Sequence, residues 1–266
     1  MFTIDQLSLQ LPMYATCLND VSLTFATGEV HALVGASGAG KSLLAYAMMG
    51  LLPAQARLPG HLYYQGTLLD ASRQRRLRGR ELALIPQSLS ALDPLVRTQR
   101  QVAWAAQRAG HATEPAWRAS QQALDHYQLD ARAQQAYAHE LSGGMARRVL
   151  TAMAHVSQAR LVIADEPTVG LDPHQRQRVL TALRELADQG KTVVLITHDL
   201  RHALPIADQV TILRDGKSIE TAPACAFQGA GTSLSSTYSQ ALWQALPDNG
   251  FTVSMARPVD KETVVA

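Results

Sequence analysis

A chain of 266 residues, 47% hydrophobic and 17% charged, is long enough for one large domain or for a core domain carrying a smaller lobe, and too apolar for a disordered protein. Its 24 Lys and Arg against 22 Asp and Glu leave a net charge of +2, too slight an imbalance to argue for nucleic acid as an electrostatic partner. Cys17 and Cys225 are the two cysteines and form no CxxC pair, so neither a disulfide framework nor a thiolate metal site is indicated, which fits a reducing compartment.

In chain order, the first segment carries Asp5 where a secretory signal would want Lys or Arg, and it alternates polar and apolar residues, so no export is expected. Phe2–Leu9 and Val21–Phe25 are predicted as short antiparallel strands, with Asp20 and Thr27-Gly28 as turn punctuation. Val30–Val34 is a continuous apolar run that ends in a glycine-rich loop, followed by a helix over Leu43–Met49. The longest apolar stretch, Leu43–Leu52, is too short to cross a bilayer, so any membrane-spanning part belongs to another chain. Leu62–Tyr64 and Thr67–Leu69 flank Gln65-Gly66 as a hairpin, and Leu82–Ile85 is a further buried strand.

From Leu89 to Ala138 the composition turns to Ala, Gln and Arg at helical spacing, with a helix start at Thr113-Glu114-Pro115. Beyond this helical lobe, Leu161–Ala164 and Thr192–Ile196 are apolar strands separated by a helix over Pro173–Gln189, and such alternation predicts a mainly parallel sheet. Val210–Arg214, the Asp215-Gly216 turn and Lys217–Glu220 make a closing hairpin, and Tyr238–Leu246 reads as a last helix.

The chemistry begins at Gly35-Ala36-Ser37-Gly38-Ala39-Gly40-Lys41-Ser42, which fits GxxxxGK[ST] in the strand-to-helix context the pattern requires. Such glycines let the backbone curl so that successive N–H groups and a helix N-terminus face an anion, with Lys41 adding charge and Ser42 a hydroxyl for Mg²⁺. A glycine-rich turn with a stray lysine would match the four fixed positions in roughly one chain in a hundred. Leu161–Glu166 is the natural companion, an apolar strand ending in carboxylates. Asp165 would hold Mg²⁺ through water and Glu166 would polarise the attacking water. An acidic pair after a strand is by itself more often a helix cap, but a phosphate loop in the same chain reverses that balance.

Leu141-Ser142-Gly143-Gly144-Met145 opens a helical run, which puts its N–H groups at a positive helix end. Alone it would read as a flexible turn. As a second anion site beside a loop already served by Lys41, it suggests contact with another protomer's ATP. His198 ends the apolar run Val193–Thr197, where an imidazole can meet a γ-phosphate, and Gln87 follows Leu82–Ile85 and Pro86 at a strand end beside the Mg²⁺. A structural histidine and a surface amide are the equal alternatives.

In this order, Gly35–Ser42, Gln87, Leu141–Met145, Leu161–Glu166, Gly170-Leu171-Asp172 and Thr197-His198-Asp199 resemble the nucleotide-binding subunits of ABC transporters, over nearly the whole chain to about Glu220. The resemblance implies an α/β P-loop ATPase over 1–246 with a parallel core sheet, an antiparallel β subdomain and a helical subdomain inserted at about 89–158, followed by a C-terminal tail over 247–266. It implies ATP and Mg²⁺ as ligands, with Gly35, Ala36, Ser37, Gly38, Ala39, Gly40, Lys41 and Ser42 around the phosphates and Tyr14 as the adenine-stacking candidate. Glu166, His198 and Gln87 take the catalytic roles, and Ser42, Gln87 and Asp165 serve the metal.

Two such subunits are expected to close head to tail over two ATP molecules, with Ser142, Gly143 and Gly144 acting in trans and Asp172 communicating across the dimer. The implied partners are a second, homologous ATPase subunit in an unlike pair, two transmembrane permease subunits and a periplasmic or extracellular solute-binding protein. No nucleic acid is expected, and the location is peripheral, on the cytoplasmic face of the inner membrane.

A narrower likeness is to dipeptide, oligopeptide and nickel importers, carried by Met145 in the signature, Ile163-Ala-Asp-Glu-Pro-Thr168, Ser90-Ala-Leu-Asp-Pro94, Met48-Met-Gly-Leu-Leu-Pro53 and Tyr238-Ser-Gln-Ala-Leu242. The chain looks most like the nickel-importer ATPases. Val169-Gly170 departs from the usual Thr-Ala or Ser-Ala, and Cys225 alone cannot form the cysteine cluster of some peptide importers, so no iron–sulfur cluster is expected. The alternative is a soluble accessory ATPase of phosphonate breakdown.

Overall fold

The computed structural model describes residues 1–12 and 16–246, and every structural statement below concerns these. Tyr14 and the tail over 247–266 lie outside them.

Two sheets organise the fold. The antiparallel one has the order β2-β1-β4-β5, built from β1 (Phe2–Gln10), β2 (Thr16–Phe25), β4 (His61–Tyr64) and β5 (Thr67–Leu68). β1 and β2 keep an apolar face through shifts in their pairing register, each of which inserts an extra residue into one of the two strands. At Gln6 (φ 50°) and Asp20 (φ 54°) the backbone turns left-handed and the pairing register shifts, which returns Leu7, Leu9, Leu18 and Val21 to the interior. The turn expected at Asp20 is therefore a bulge inside a longer strand. Gln65 and Gly66, at φ 52° and 72°, do make the expected tight hairpin turn.

The second sheet has the order β10-β9-β3-β8-β7-β6. It comprises β3 (Val30–Val34), β6 (Leu82–Ile85), β7 (Leu161–Asp165), β8 (Thr192–Thr197), β9 (Gln209–Arg214) and β10 (Lys217–Pro223). All neighbouring pairs are parallel except β9 with β10. Both faces of the central strands are covered, which is why β6, β7 and β8 are almost continuous apolar runs. One face (Leu33, Ile163, Val194, Ile196) packs on α1 (Lys41–Met49) and the antiparallel sheet. The other (Val34, Val162, Ala164, Leu195) packs on helices, chiefly α6 (Gly143–Val156) and α7 (Pro173–Asp188). Burying each of these Leu, Ile and Val side chains contributes about 1.5–3 kcal/mol.

The parallel register decides where the chemistry lies. Val34 pairs with Thr197, Asp165 with Ile196 and Ile85 with Ala164, so the segments after β3, β6, β7 and β8 all leave from one edge. Between β6 and β7 the chain makes α3 (Thr98–Arg108), α4 (Thr113–His126), α5 (Ala131–Gln135) and α6, with α3, α4 and α6 packed together. The short α2 (Ala71–Leu77), capped by Asp70 accepting from the Arg73 N–H, was not expected from its Arg-rich sequence. α8 (Leu200–Ala203) and α9 (Thr237–Gln244) complete the order.

His31 sits inside β3, 2% exposed, its Nε2 2.7 Å from Thr211 Oγ1 and its Nδ1 without a partner. Burial pushes its pKa down to about 4. The folded state therefore holds His31 neutral while the unfolded chain protonates it below about pH 6.5. Its contribution to stability is intact above pH 6.5 and is lost as pH falls to about 4, a change of about 3 kcal/mol. Urea melts of the wild type and His31→Gln at pH 7.5 and 4.5 measure it. The variant should lose less stability on acidification, and equal losses would rule the assignment out.

Candidate functional site

At the edge where the parallel strands end, the chain after β3 curls back on itself before α1. Gly35 is required by close approach, since a Cβ there would stand 2.3 Å from the Leu213 carbonyl oxygen. Gly40 is required twice over: its φ is 96°, and a Cβ would stand 2.7 Å from Leu18 Cδ2. Gly40 is also the N-cap of α1 and, having no side chain, satisfies none of the first-turn N–H groups. At α6 and α7, by contrast, Ser142 and Asp172 accept from the Met145 and Gln175 N–H groups. The start of α1 is thus left as a positive, donor-rich terminus, which suits an anion.

Lys41 is 6% exposed, and its ammonium donates to the carbonyls of Gly35 (2.7 Å) and Ala36 (3.0 Å). That engages two of its three protons and leaves one for an anion. Burial lowers its pKa, and the charges of Glu166 and Asp165 oppose that shift.

Ser42 Oγ donates to Asp165 Oδ1 at 3.1 Å, which joins the first turn of α1 to the end of β7. Asp165 is 1% exposed, and burial raises its carboxyl; the Ser42 hydrogen bond lowers it, Glu166 raises it, and Lys41 and Arg147 lower it. The Ser42 hydroxyl and Asp165 carboxylate are oxygen ligands of the kind Mg²⁺ takes, and they stand beside an anion cradle suited to the phosphates with which it is held. Residues and ligand therefore fit.

Glu166 carries the clearest strain in the site. It is 7% exposed with φ 46°, and its N–H donates to the Ile196 carbonyl at 2.9 Å, so the β7–β8 ladder holds it in the left-handed region. Its Oε1 meets His198 Nδ1 at 2.9 Å, while Oε2 is buried and has no partner. A buried unsatisfied carboxylate oxygen is costly, and it persists where something else is to be bound. The His198 side chain is 59% exposed, so it reaches from solvent over the carboxylate.

Lys41, Ser42, Asp165, Glu166 and His198 are therefore gathered in one place. Gln87 follows the adjacent strand end with its side chain exposed, and its main-chain carbonyl accepts from Arg147. Leu141–Met145 lies elsewhere: Ser142 and Gly143 are exposed, and no hydrogen bond joins them to residues 35–42 among the described residues. Asp172, also exposed, caps α7. Arg147 escaped the sequence reading, although a pair of arginines amid buried Ala146, Val149 and Leu150 was a signal that one of them has an internal job.

Residues 18–169 match the family model described as ABC transporter. The chain is 34% identical over 213 residues to the oligopeptide transport ATP-binding protein OppD of Haemophilus influenzae, covering 77% of this chain and 66% of that protein. It is 36% identical over 212 residues to the nickel import ATP-binding protein NikD of Pseudomonas putida, covering 78% of this chain and 82% of that one. The chain spans just under two thirds of the length of the OppD relatives, between 63% and 66%. Among solved structures, a dimeric post-hydrolysis state of the ATP-binding cassette MJ0796 bound to ADP and Pi superposes with a TM-score of 0.76 at 24% identity. That superposition covers 86% of this chain and all of that one. The chain belongs to the ABC transporter family, as one of its ATP-binding domains.

Proposed function

We propose that this chain is the ATP-hydrolysing subunit of an importer for short peptides or for nickel, bound to its membrane partners at the cytoplasmic face. The observation that carries the reading is the cluster at the strand edge: Lys41 over a donor-rich helix start, Ser42 bonded to Asp165, and a strained Glu166 with one bare oxygen beside His198. The names of OppD and NikD set the cargo alternatives and favour import over an accessory role in phosphonate breakdown.

In this reading residues 35–42 hold the phosphates of ATP, with Lys41 and the first N–H groups of α1 as donors. Ser42, Asp165 and Gln87 would hold Mg²⁺, which would supply charge neutralisation at the phosphates. Glu166 accepts hydrogen bonding from the attacking water through Oε2, and His198, held by Oε1, faces the γ-phosphate. Ser142, Gly143 and Gly144 serve the ATP of a second, homologous subunit, which the exposure of Ser142 and Gly143 supports, and Asp172 lies at the same interface. A groove of about 1160 Å³ between β6 and the helices α3 and α6, lined by Arg78, Leu84, Trp104, Arg108 and Met153, is the place for a segment of a permease subunit. Among the described residues no helix is long and apolar enough to cross a membrane, which is compatible with a peripheral place in the complex.

The test is purification of the tagged chain from membranes of cells carrying its neighbouring genes. Co-purification of polytopic subunits and Mg²⁺-dependent phosphate release are expected, and uptake of nickel against uptake of dipeptides then decides the cargo. A chain that binds ATP but never associates with such membranes would overturn the transport role.

A further inference from the structure

Arg147 lies in the first turns of α6, three residues after Gly144, yet its side chain does not serve α6. It is 5% exposed and crosses to the end of β6, where Nη1 donates to the Pro86 carbonyl at 2.8 Å and Nη2 to the Gln87 carbonyl. Among the described residues no carboxylate lies within ion-pair distance of it, although Asp165 and Glu166 are the charges that act on it. A buried guanidinium is costly unless its donors are engaged, and its planar fork is suited to holding two acceptors at a fixed spacing. Here the acceptors are consecutive main-chain carbonyls of the very residues that leave β6 for the site. A lysine ammonium can reach two carbonyls, as Lys41 does with Gly35 and Ala36, but it has no planar fork to set their spacing.

We infer that Arg147 is a positioning residue that clamps the Pro86-Gln87 backbone to α6, so that a displacement of the Ser142–Gly144 segment moves Gln87 with respect to Asp165 and Glu166. The inference rests on the ATPase reading above for what Gln87 does there, but the clamp itself is a property of this chain alone. It supplies a mechanical connection in which the segment proposed to meet the other subunit's nucleotide is linked, within one chain, to the chain's own metal-side residue.

Two independent readouts test it on the full-length protein. In nucleotide-free protein, hydrogen exchange of the peptide spanning 86–92 should speed up by about tenfold in Arg147→Gln, and detectably in Arg147→Lys, while peptides from β3 and β8 keep their protection. In turnover, Arg147→Gln should retain affinity for fluorescent ATP in EDTA within about twofold, while kcat falls by about tenfold or more and half-saturation in Mg²⁺ rises severalfold. The double variant with Gln87→Ala should be no worse than Gln87→Ala alone.

Unchanged exchange at 86–92 would overturn the clamp. Full rescue by Lys would assign the effect to charge alone, and additive losses with Gln87→Ala would break the link to Gln87; either result overturns the inference. If Arg147→Gln does not fold, Arg147→Lys carries both readouts. Wild-type protein that releases no phosphate with Mg²⁺ and ATP would instead sink the ATPase reading, and the exchange measurement would still decide whether the clamp exists.

Discussion

Glu166→Gln is expected to bind ATP with close to wild-type affinity while its phosphate release falls by about 10²–10⁴-fold, the range a positioned general base contributes. The substitution preserves side-chain length and leaves an oxygen able to face His198 Nδ1, so the backbone held at φ 46° by the Ile196 carbonyl has no reason to move. What disappears is the negative charge on the buried oxygen that has no partner in the folded chain. An amide cannot take a proton from water, and its NH₂ is a donor where an acceptor is needed. Binding and turnover should therefore separate cleanly. With ATP and Mg²⁺ the variant should accumulate as a closed dimer on size exclusion, whether with its own copies or with a homologous subunit. The decisive comparison is fluorescent-nucleotide affinity against phosphate release. A variant that keeps near-normal release removes Glu166 from the role given to it and would shift attention to His198.

Much of this was legible in the sequence, and the reasons are local. The apolar runs Val30–Val34, Leu161–Ala164 and Thr192–Ile196 announce strands buried on both faces, and once they are taken as parallel, the loops after them must gather at one edge. Lys41, Ser42, Asp165, Glu166 and His198 follow from that register. Asp20 did not, because a polar residue with a taste for left-handed backbone signals a turn and a bulge equally well, and only the pairing of β1 with β2 separates them. The α2 helix was missed because its Arg-rich segment has no apolar stripe. Asp70 capping it and buried Gln74, which donates to the Ala47 and Met48 carbonyls, hold it through polar contacts that periodicity does not register. Arg147 was hidden for a related reason. A helix pattern marks which residues face inward, not which distant carbonyls a buried cation will reach, and its partners lie sixty residues back along the chain.

Lys41→Ala should fail at the earlier step and lose nucleotide affinity by about 10–100-fold, or roughly 1.4–2.8 kcal/mol, with or without Mg²⁺. The ammonium is nearly enclosed, is oriented by the Gly35 and Ala36 carbonyls, and is attracted by Asp165 and Glu166. Its removal takes away the charge-assisted donor to the phosphates. It also leaves the two buried carboxylates with Arg147 as the remaining cation acting on Asp165, so their repulsion of an anionic ligand grows. Both effects weaken binding and neither concerns the chemical step, in contrast to Glu166→Gln. Thermal melts without nucleotide show whether the variant is folded, and titration with fluorescent ATP in EDTA isolates the phosphate contact from the metal. The same titration with added Mg²⁺ should show a loss at the lower end of that range, because a divalent cation would screen part of the repulsion that the lost ammonium leaves behind. If Lys41→Ala binds ATP like the wild type in both conditions, the curl between Gly35 and Ser42 is not the phosphate cradle, and the close packing at Gly35 and Gly40 would have to be explained by folding alone.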